Sequence, residues 1–164
     1  MYNISMNGGN IRKTRFPEKG LLRGMAALKR REAREEVFRL LFETEFHGGM
    51  PPEEIFSLAC EDRGFEGDGY IREVYFGVRE RLEELDGLIA RHSRGWRPDR
   101  ITPVSRSILR LGIYEMRYVE DVPAAVAINE AVELTKRYDA EKARSFVNGV
   151  LNSVKDELEA ERAL

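Results

Sequence analysis

Asp121-Val-Pro-Ala-Ala-Val-Ala-Ile-Asn-Glu-Ala-Val-Glu-Leu134 passes through a polar turn into Arg144-Ser-Phe-Val-Asn-Gly-Val-Leu151, and this stretch decides the fold. Pro123 fixes its own φ and disfavours the α region for Val122, so a helix is expected to start just after it, with Asp121 as a candidate cap. Ala127, Ala131 and Leu134 recur at helical spacing, opposite Glu130, Glu133 and Arg137. Glu133 and Arg137 stand at the favourable i,i+4 spacing. This helix should stop near Tyr138 and Asp139. The next, from about Ala140, places Phe146, Val147, Val150, Leu151, Val154 and Leu158 on one apolar stripe. Asn148-Gly149 is ordinarily a hairpin-turn dipeptide. Here the 3.6 period runs through it, so Gly149 is expected to be a close-packing point inside a helix. Asn129 and Asn148 are expected to bond backbone in neighbouring loops.

Working outward, periodicity predicts a helix from about Leu28 to Phe46, stopped by His47-Gly48-Gly49. A short helix over Glu53 to Cys60 should follow, then a loop from Gly64 to Gly69 and one long helix from Tyr70 to His92. Ser93 to Pro103, with Gly95, Pro98 and Pro103, reads as a linker between two helical halves, about 25–95 and 102–162. Trp96 in this linker is expected to plug the space between them. A further helix over Val104 to Val119 completes an all-α bundle of six to seven helices in two small subdomains. One domain is the ordinary expectation for 164 residues, and few alternating β-branched runs accompany the 34% charged and 42% hydrophobic residues.

Charge is unevenly spread. Residues 1–24 carry +4 and residues 25–34 carry +3, while the whole chain is −2, so residues 35–164 carry −9. A basic N-terminal end on an acidic body suits a protein that offers one end to nucleic acid and another surface to a basic partner. Residues 1–24, with Gly8-Gly9 and no sustained period, read as a flexible basic extension. Cys60 is alone, which fits a reducing, cytoplasmic location and a small core residue. No apolar run approaches the roughly 20 residues needed to cross a bilayer. His47 and His92 lack nucleophile partners, and no metal-ligand spacing, phosphate loop or cofactor fingerprint occurs. Neither an enzyme nor a cofactor is expected.

The best functional geometry lies on the first helix. At about 100° per residue, Arg31, Arg34, Phe38 and Phe42 share a stripe bordering the core face of Val37, Leu40 and Leu41. Arginine forks bind phosphate, and aromatic rings stack on unpaired bases, which is the chemistry of single-stranded RNA binding. The alternative is a solvated first turn with Phe38 and Phe42 in the core. Positive side chains at a helix N-terminus are mildly unfavourable, so several arginines there call for another benefit.

Val126-Ala-Ile-Asn-Glu-Ala-Val-Glu-Leu134, Phe146-Val-Asn-Gly-Val-Leu151, Ile108-Leu-Arg-Leu-Gly-Ile-Tyr-Glu-Met116 and Arg31-Glu-Ala-Arg34 stand in one order. Together they resemble the bacterial transcription antitermination factor family NusB, over about residues 25–160. The resemblance implies a factor that binds boxA-like RNA of ribosomal RNA leaders. The arginine-rich start, Arg30, Arg31 and Arg34, would then hold phosphate, and Phe42 stands where many relatives have Tyr. It also implicates Lys142 and Phe146 at the turn before the last helix, and His92, whose alternative is a neutral helix cap. Lys142 departs from the acidic residue often found there, and Ser105 from an acidic residue common before Ile108. Implied partners are the ribosomal protein NusE, on the acidic body, and an RNA polymerase antitermination complex. A homodimer, a protein-only adaptor and the domain type fused to ribosomal RNA cytosine methyltransferases remain alternatives. The resemblance begins near Met25, which makes residues 1–24 either upstream of the physiological start or a lineage-specific arm. Neutralising about four phosphates would weaken single-strand binding roughly 50-fold between about 50 and 200 mM salt.

Overall fold

The computed structural model describes residues 2–7, 10–15 and 28–164. From Arg30 onward the domain is all-α, with seven helices: α1 (Arg30–Phe46), α2 (Pro52–Arg63), α3 (Tyr70–Glu80), α4 (Leu82–His92), α5 (Pro103–Tyr118), α6 (Ala124–Tyr138) and α7 (Ala143–Arg162). Before it, β1 (Tyr2–Asn7) pairs antiparallel with β2 (Asn10–Arg15), with Tyr2 opposite Arg15 and Asn7 opposite Asn10. Composition led to an expectation of no regular structure there. Tyr2, Ile4 and Met6 nevertheless alternate with polar residues ahead of a Gly-Gly dipeptide, a hairpin signal. Such a ribbon is marginal in water by itself. Lys19, Arg23 and Met25 lie outside the described residues.

Helix α5 is the axis of the fold. It packs against α1, α3, α4, α6 and α7, and is buried on nearly every side from Ser105 to Met116. Its residues are accordingly apolar around most of the helix: Ile108, Leu109, Leu111 and Ile113 are each at most 1% exposed. Close approach depends on two glycines. A Cβ on Gly112 would lie 3.2 and 3.3 Å from the methyls of Leu151 in α7, and one on Gly77 would collide with the Tyr114 hydroxyl.

Gly149 is not such a point. It is exposed within α7, and nothing lies within 4 Å of a Cβ built there. Asn129 and Asn148 are exposed as well, and Asn148 accepts from its neighbour Asn152 rather than from a loop. The period that carried α7 through Gly149 was therefore a correct sign of helix, while the packing reason inferred for the glycine fails.

The long helix expected over Tyr70 to His92 breaks at Arg81, whose φ of −115° and ψ of 22° separate α3 from α4. The break lets α3 lie on α1 and α5 while α4 turns toward α5 and α7. Arg81 stacks 4.4 Å over the Tyr118 ring, which holds the corner without a proline or glycine. At the start of α6, Pro123 takes the cap position and no side chain caps the helix. Asp121 is instead bonded to Arg30. Glu133 and Arg137 likewise take other partners, Lys136 and Glu35.

Burial of the Cys60 side chain pushes its thiol up to about 11, so it stays protonated at neutral pH. No described helix is long and apolar enough to cross a membrane.

Candidate RNA interface

Helix α1 opens with its Glu32 carboxylate accepting the Lys29 backbone N–H at 3.1 Å, which favours the helix start. The three arginines of its first turns then meet three different acids. Arg30 lies 4.3 Å over the Tyr70 ring and reaches Asp121 at 3.0 and 3.4 Å. Arg31 grips Glu130 with both arms of its fork, at 2.8 and 3.0 Å, while its side chain stays 70% exposed. Arg34 is only 3% exposed, and its Nε donates to both oxygens of Glu115, at 2.9 and 3.0 Å.

Arg34 therefore has a structural role, and the phosphate contact expected of it is excluded by burial. Its partner Glu115 is fully buried. Burial pushes that carboxyl above the usual range, against the pull of the Arg34 guanidinium and the Tyr70 hydroxyl that donates to it. Burial, then the Glu115 charge, raises the Tyr70 hydroxyl in turn. Glu130 stands between the two arginines, with Arg34 Nη1 at 3.5 Å. The Arg31 hydrogen bond and charge outweigh burial and hold the Glu130 carboxyl below its ordinary value.

Beyond this turn, α1 and α6 enclose a shallow groove of about 300 Å³ lined by Arg31, Glu35, Glu130, Glu133, Lys136 and Arg137, among others. Acids and bases alternate along it. Burial alone would raise the Glu35 carboxyl, yet bonds from Tyr138 and Arg137 and the nearby Arg39 hold it down. The arginine-rich face is thus largely neutralised within the fold.

An aromatic row extends the same helix. Phe38 is buried 4.8 Å from Tyr138, and Phe42, half-buried, lies 6.2 Å from Phe38. Phe42 in turn lies 4.8 Å from Phe46, which is 61% exposed. The i+4 spacing of Phe38, Phe42 and Phe46 was visible in the sequence, but Phe46 had been read only as a helix end. From Arg31 to Phe46 the ridge runs about 22 Å at the usual helical rise.

The turn before α7 is tied to the start of α5. Asp139 accepts from Thr102 Oγ1 at 2.7 Å, Ser105 Oγ at 2.6 Å and the Ala140 N–H at 2.8 Å. Burial would raise its carboxyl, and these bonds outweigh it, so Asp139 is held below the usual carboxylate range. Ser105, where an acid had been expected from the resemblance, is the residue that makes this joint without a second negative charge. Arg106 and Arg110, also early in α5, hold Glu45 of the last turn of α1. The α5 start thus has the aromatic end of α1 on one side and the Lys142 turn on the other.

Lys142 is exposed and in no ion pair among the described residues. Phe146, 8% exposed, lies beneath Trp96 with ring centroids 4.5 Å apart. Trp96 does reach across to α7, but at 42% exposure it is a half-open face, not an enclosed plug. His92 is bonded to Glu157 of α7 and does not cap α4. Among the described residues, no group of three His, Cys, Asp or Glu could hold a metal ion.

A model of the NusB family matches residues 31–156. The chain belongs to the NusB family. It is 43% identical over 131 residues to the transcription antitermination protein NusB of Bacillus pumilus, covering 80% of this chain and 98% of that protein. The corresponding protein of Bacillus subtilis is 41% identical over 132 residues, with the same coverage. Among solved structures, NusB of T. maritima superposes with a TM-score of 0.73 at 34% identity, covering 80% of this chain and 94% of that one. A complex described as antitermination factors NusB and NusE with dsRNA superposes at 0.69 and 29% identity, covering 78% and 96%. The seven-helix domain is thus the NusB fold, and residues 1–30 fall outside the matched region.

Proposed function

We propose that this chain is an RNA-binding transcription antitermination factor that engages boxA-like single-stranded RNA of ribosomal RNA leaders, jointly with NusE, in an antitermination complex on RNA polymerase. The observation that carries the reading is the exposed ridge of α1, on which the Arg31 fork and the Phe42–Phe46 rings lie along one helix. A guanidinium that already holds a carboxylate bidentately is shaped to hold a phosphate in the same way. The two relatives named above are antitermination proteins, and one structural neighbour was solved with NusE and RNA. The chain covers 98% of each of these two relatives, and both carry the antitermination name, which supports that reading over a methyltransferase's.

Within this reading Arg31 and Arg30 take phosphates, Phe42 and Phe46 take bases, and Arg34 fixes the first turn from inside through Glu115. Lys142 adds a cation at the far end. Binding of boxA-like RNA to the full chain, with and without NusE, tests it. Arg31→Ala should weaken binding severalfold with little change in folding, and NusE should tighten it. Affinity indifferent to both would discard the reading.

A further inference from the structure

The end of α4 and the segment that leaves it read Arg91-His-Ser-Arg-Gly-Trp-Arg-Pro-Asp-Arg100, with four arginines, one tryptophan and one acid in ten residues. It is a basic island in a body that is otherwise acidic. Gly95, at φ +83°, turns the chain, and the Trp96 N–H donates to the Ser93 carbonyl at 3.0 Å. The indole is thereby laid on Phe146 with much of its outer face open. Arg94 and Arg100 are exposed with no acidic partner among the described residues, and Arg97 meets only the equally exposed Asp99 at 3.2 Å.

Phe146, Ser153 and Glu157 lie close to one line along α7, spanning about 16 Å. At the Glu157 end is a groove of about 430 Å³ lined by Arg91, His92, Arg94, Ser153 and Glu157. Glu157 there engages Arg91 and His92 and leaves Arg94 unmatched. Gly149 borders this line, exposed, with no other element of the described domain within 4 Å of where its Cβ would lie. An exposed glycine inside a helix weakens it without benefit to packing. The open space there leaves room for a chain to approach the α7 backbone closely.

We propose that Trp96, seated on Phe146 of α7, and the exposed Arg94, Arg97 and Arg100 around it form a second single-stranded RNA site, in which a base stacks on the indole and the arginines take flanking phosphates. Cations interleaved with an open aromatic face are what a sequence-tolerant single-strand site requires. Lys142, one turn before Phe146, leads from the α1 ridge to this site, so the same RNA strand occupies both. The inference rests on the RNA-binding reading and extends its footprint from the Lys142 turn and Phe146, which the resemblance already implicates, onto the segment between α4 and α5.

Trp96 is the only tryptophan of the chain, so tryptophan emission reports on this site alone. Titrating the full chain with boxA-like single-stranded RNA should quench that emission with the midpoint seen by RNA anisotropy. Trp96→Leu, which keeps an apolar cover on Phe146, should weaken binding by about fivefold or more at an unchanged melting temperature. Replacing Arg94 and Arg100 by Ala should reduce the log–log salt slope by about 1.4. Gly149→Ala should raise the melting temperature and yet weaken RNA binding. Emission unmoved by an RNA whose binding falls with Arg31→Ala, together with parental affinity of Trp96→Leu, would overturn the second site alone. If the full chain binds no RNA at all, the RNA-binding reading falls and this site with it. Equal quenching by the duplex of the same sequence would also overturn the stacking assignment.

Discussion

The first turns of α1 and the segment from Arg91 to Arg100 contain the same kinds of residue in opposite electrostatic states. On α1 every arginine of the first turns is matched: Arg30 by Asp121, Arg31 by Glu130, Arg34 by Glu115. Between α4 and α5, Arg94 and Arg100 face solvent unmatched among the described residues. The difference teaches that counting arginines does not measure affinity for a polyanion. A phosphate arriving at Arg31 replaces a carboxylate, whereas one arriving at Arg94 displaces only counterions. The first exchange gives geometric selectivity, and the second gives salt-dependent attraction.

The widest gap should appear in stability. Arg34→Ala strands the Glu115 carboxylate in the core and should cost about 3–5 kcal/mol, a large fraction of the stability of an ordinary domain. Arg31→Ala should leave unfolding nearly unchanged, because its pair is exposed. Denaturant titration of both variants checks this, and equal losses would break the distinction between the buried and exposed arginines.

Asp139, which joins the α5 start to the turn before α7, comes next. Its carboxyl is held below its unfolded value, so its contribution is present above the unfolded pKa and is lost as pH falls through the folded one. Asp139→Asn should cost roughly 2 kcal/mol at neutral pH, with parent and variant converging in acid below that lowered value. A difference that stays constant with pH would mean that the charge is not what makes the joint.

A smaller effect is expected on RNA binding. Glu130→Gln frees Arg31 from its internal anion and should tighten RNA binding by about threefold to tenfold, in line with the strength of a charged hydrogen bond. Weaker binding instead would mean that Glu130 orients Arg31 more than it competes for it. The smallest signal is in the salt dependence. Lys142→Ala should reduce the log–log slope by about 0.7, while Arg31→Ala should leave it nearly unchanged, since its phosphate exchanges with Glu130.

Much of the fold was legible along the chain. The periods of α1, α5, α6 and α7, the Pro123 start and the His47-Gly48-Gly49 stop are local signals, and they placed these helices within a few residues. The break at Arg81 was not legible, because no local residue forces it; two packing directions do. Of the candidate site, the α1 ridge was legible as a stripe, and Phe46 could have been read at i+4 from Phe42. The burial of Arg34 could not, since Glu115 and Tyr70 are 81 and 45 residues from their partners along the chain.

By itself, then, the sequence determined an all-α domain of NusB type and a basic, aromatic first helix. Those properties follow from periodicity and side-chain chemistry, which act over a few residues. Only the tertiary structure decided which charges are spent inside the fold and which remain for a ligand. It put Glu115 on Arg34, Glu130 on Arg31 and Trp96 on Phe146, and it left Gly149 uncovered. The physical reason is that the state of a charge or a ring depends on what surrounds it in space, and those neighbours come from distant helices.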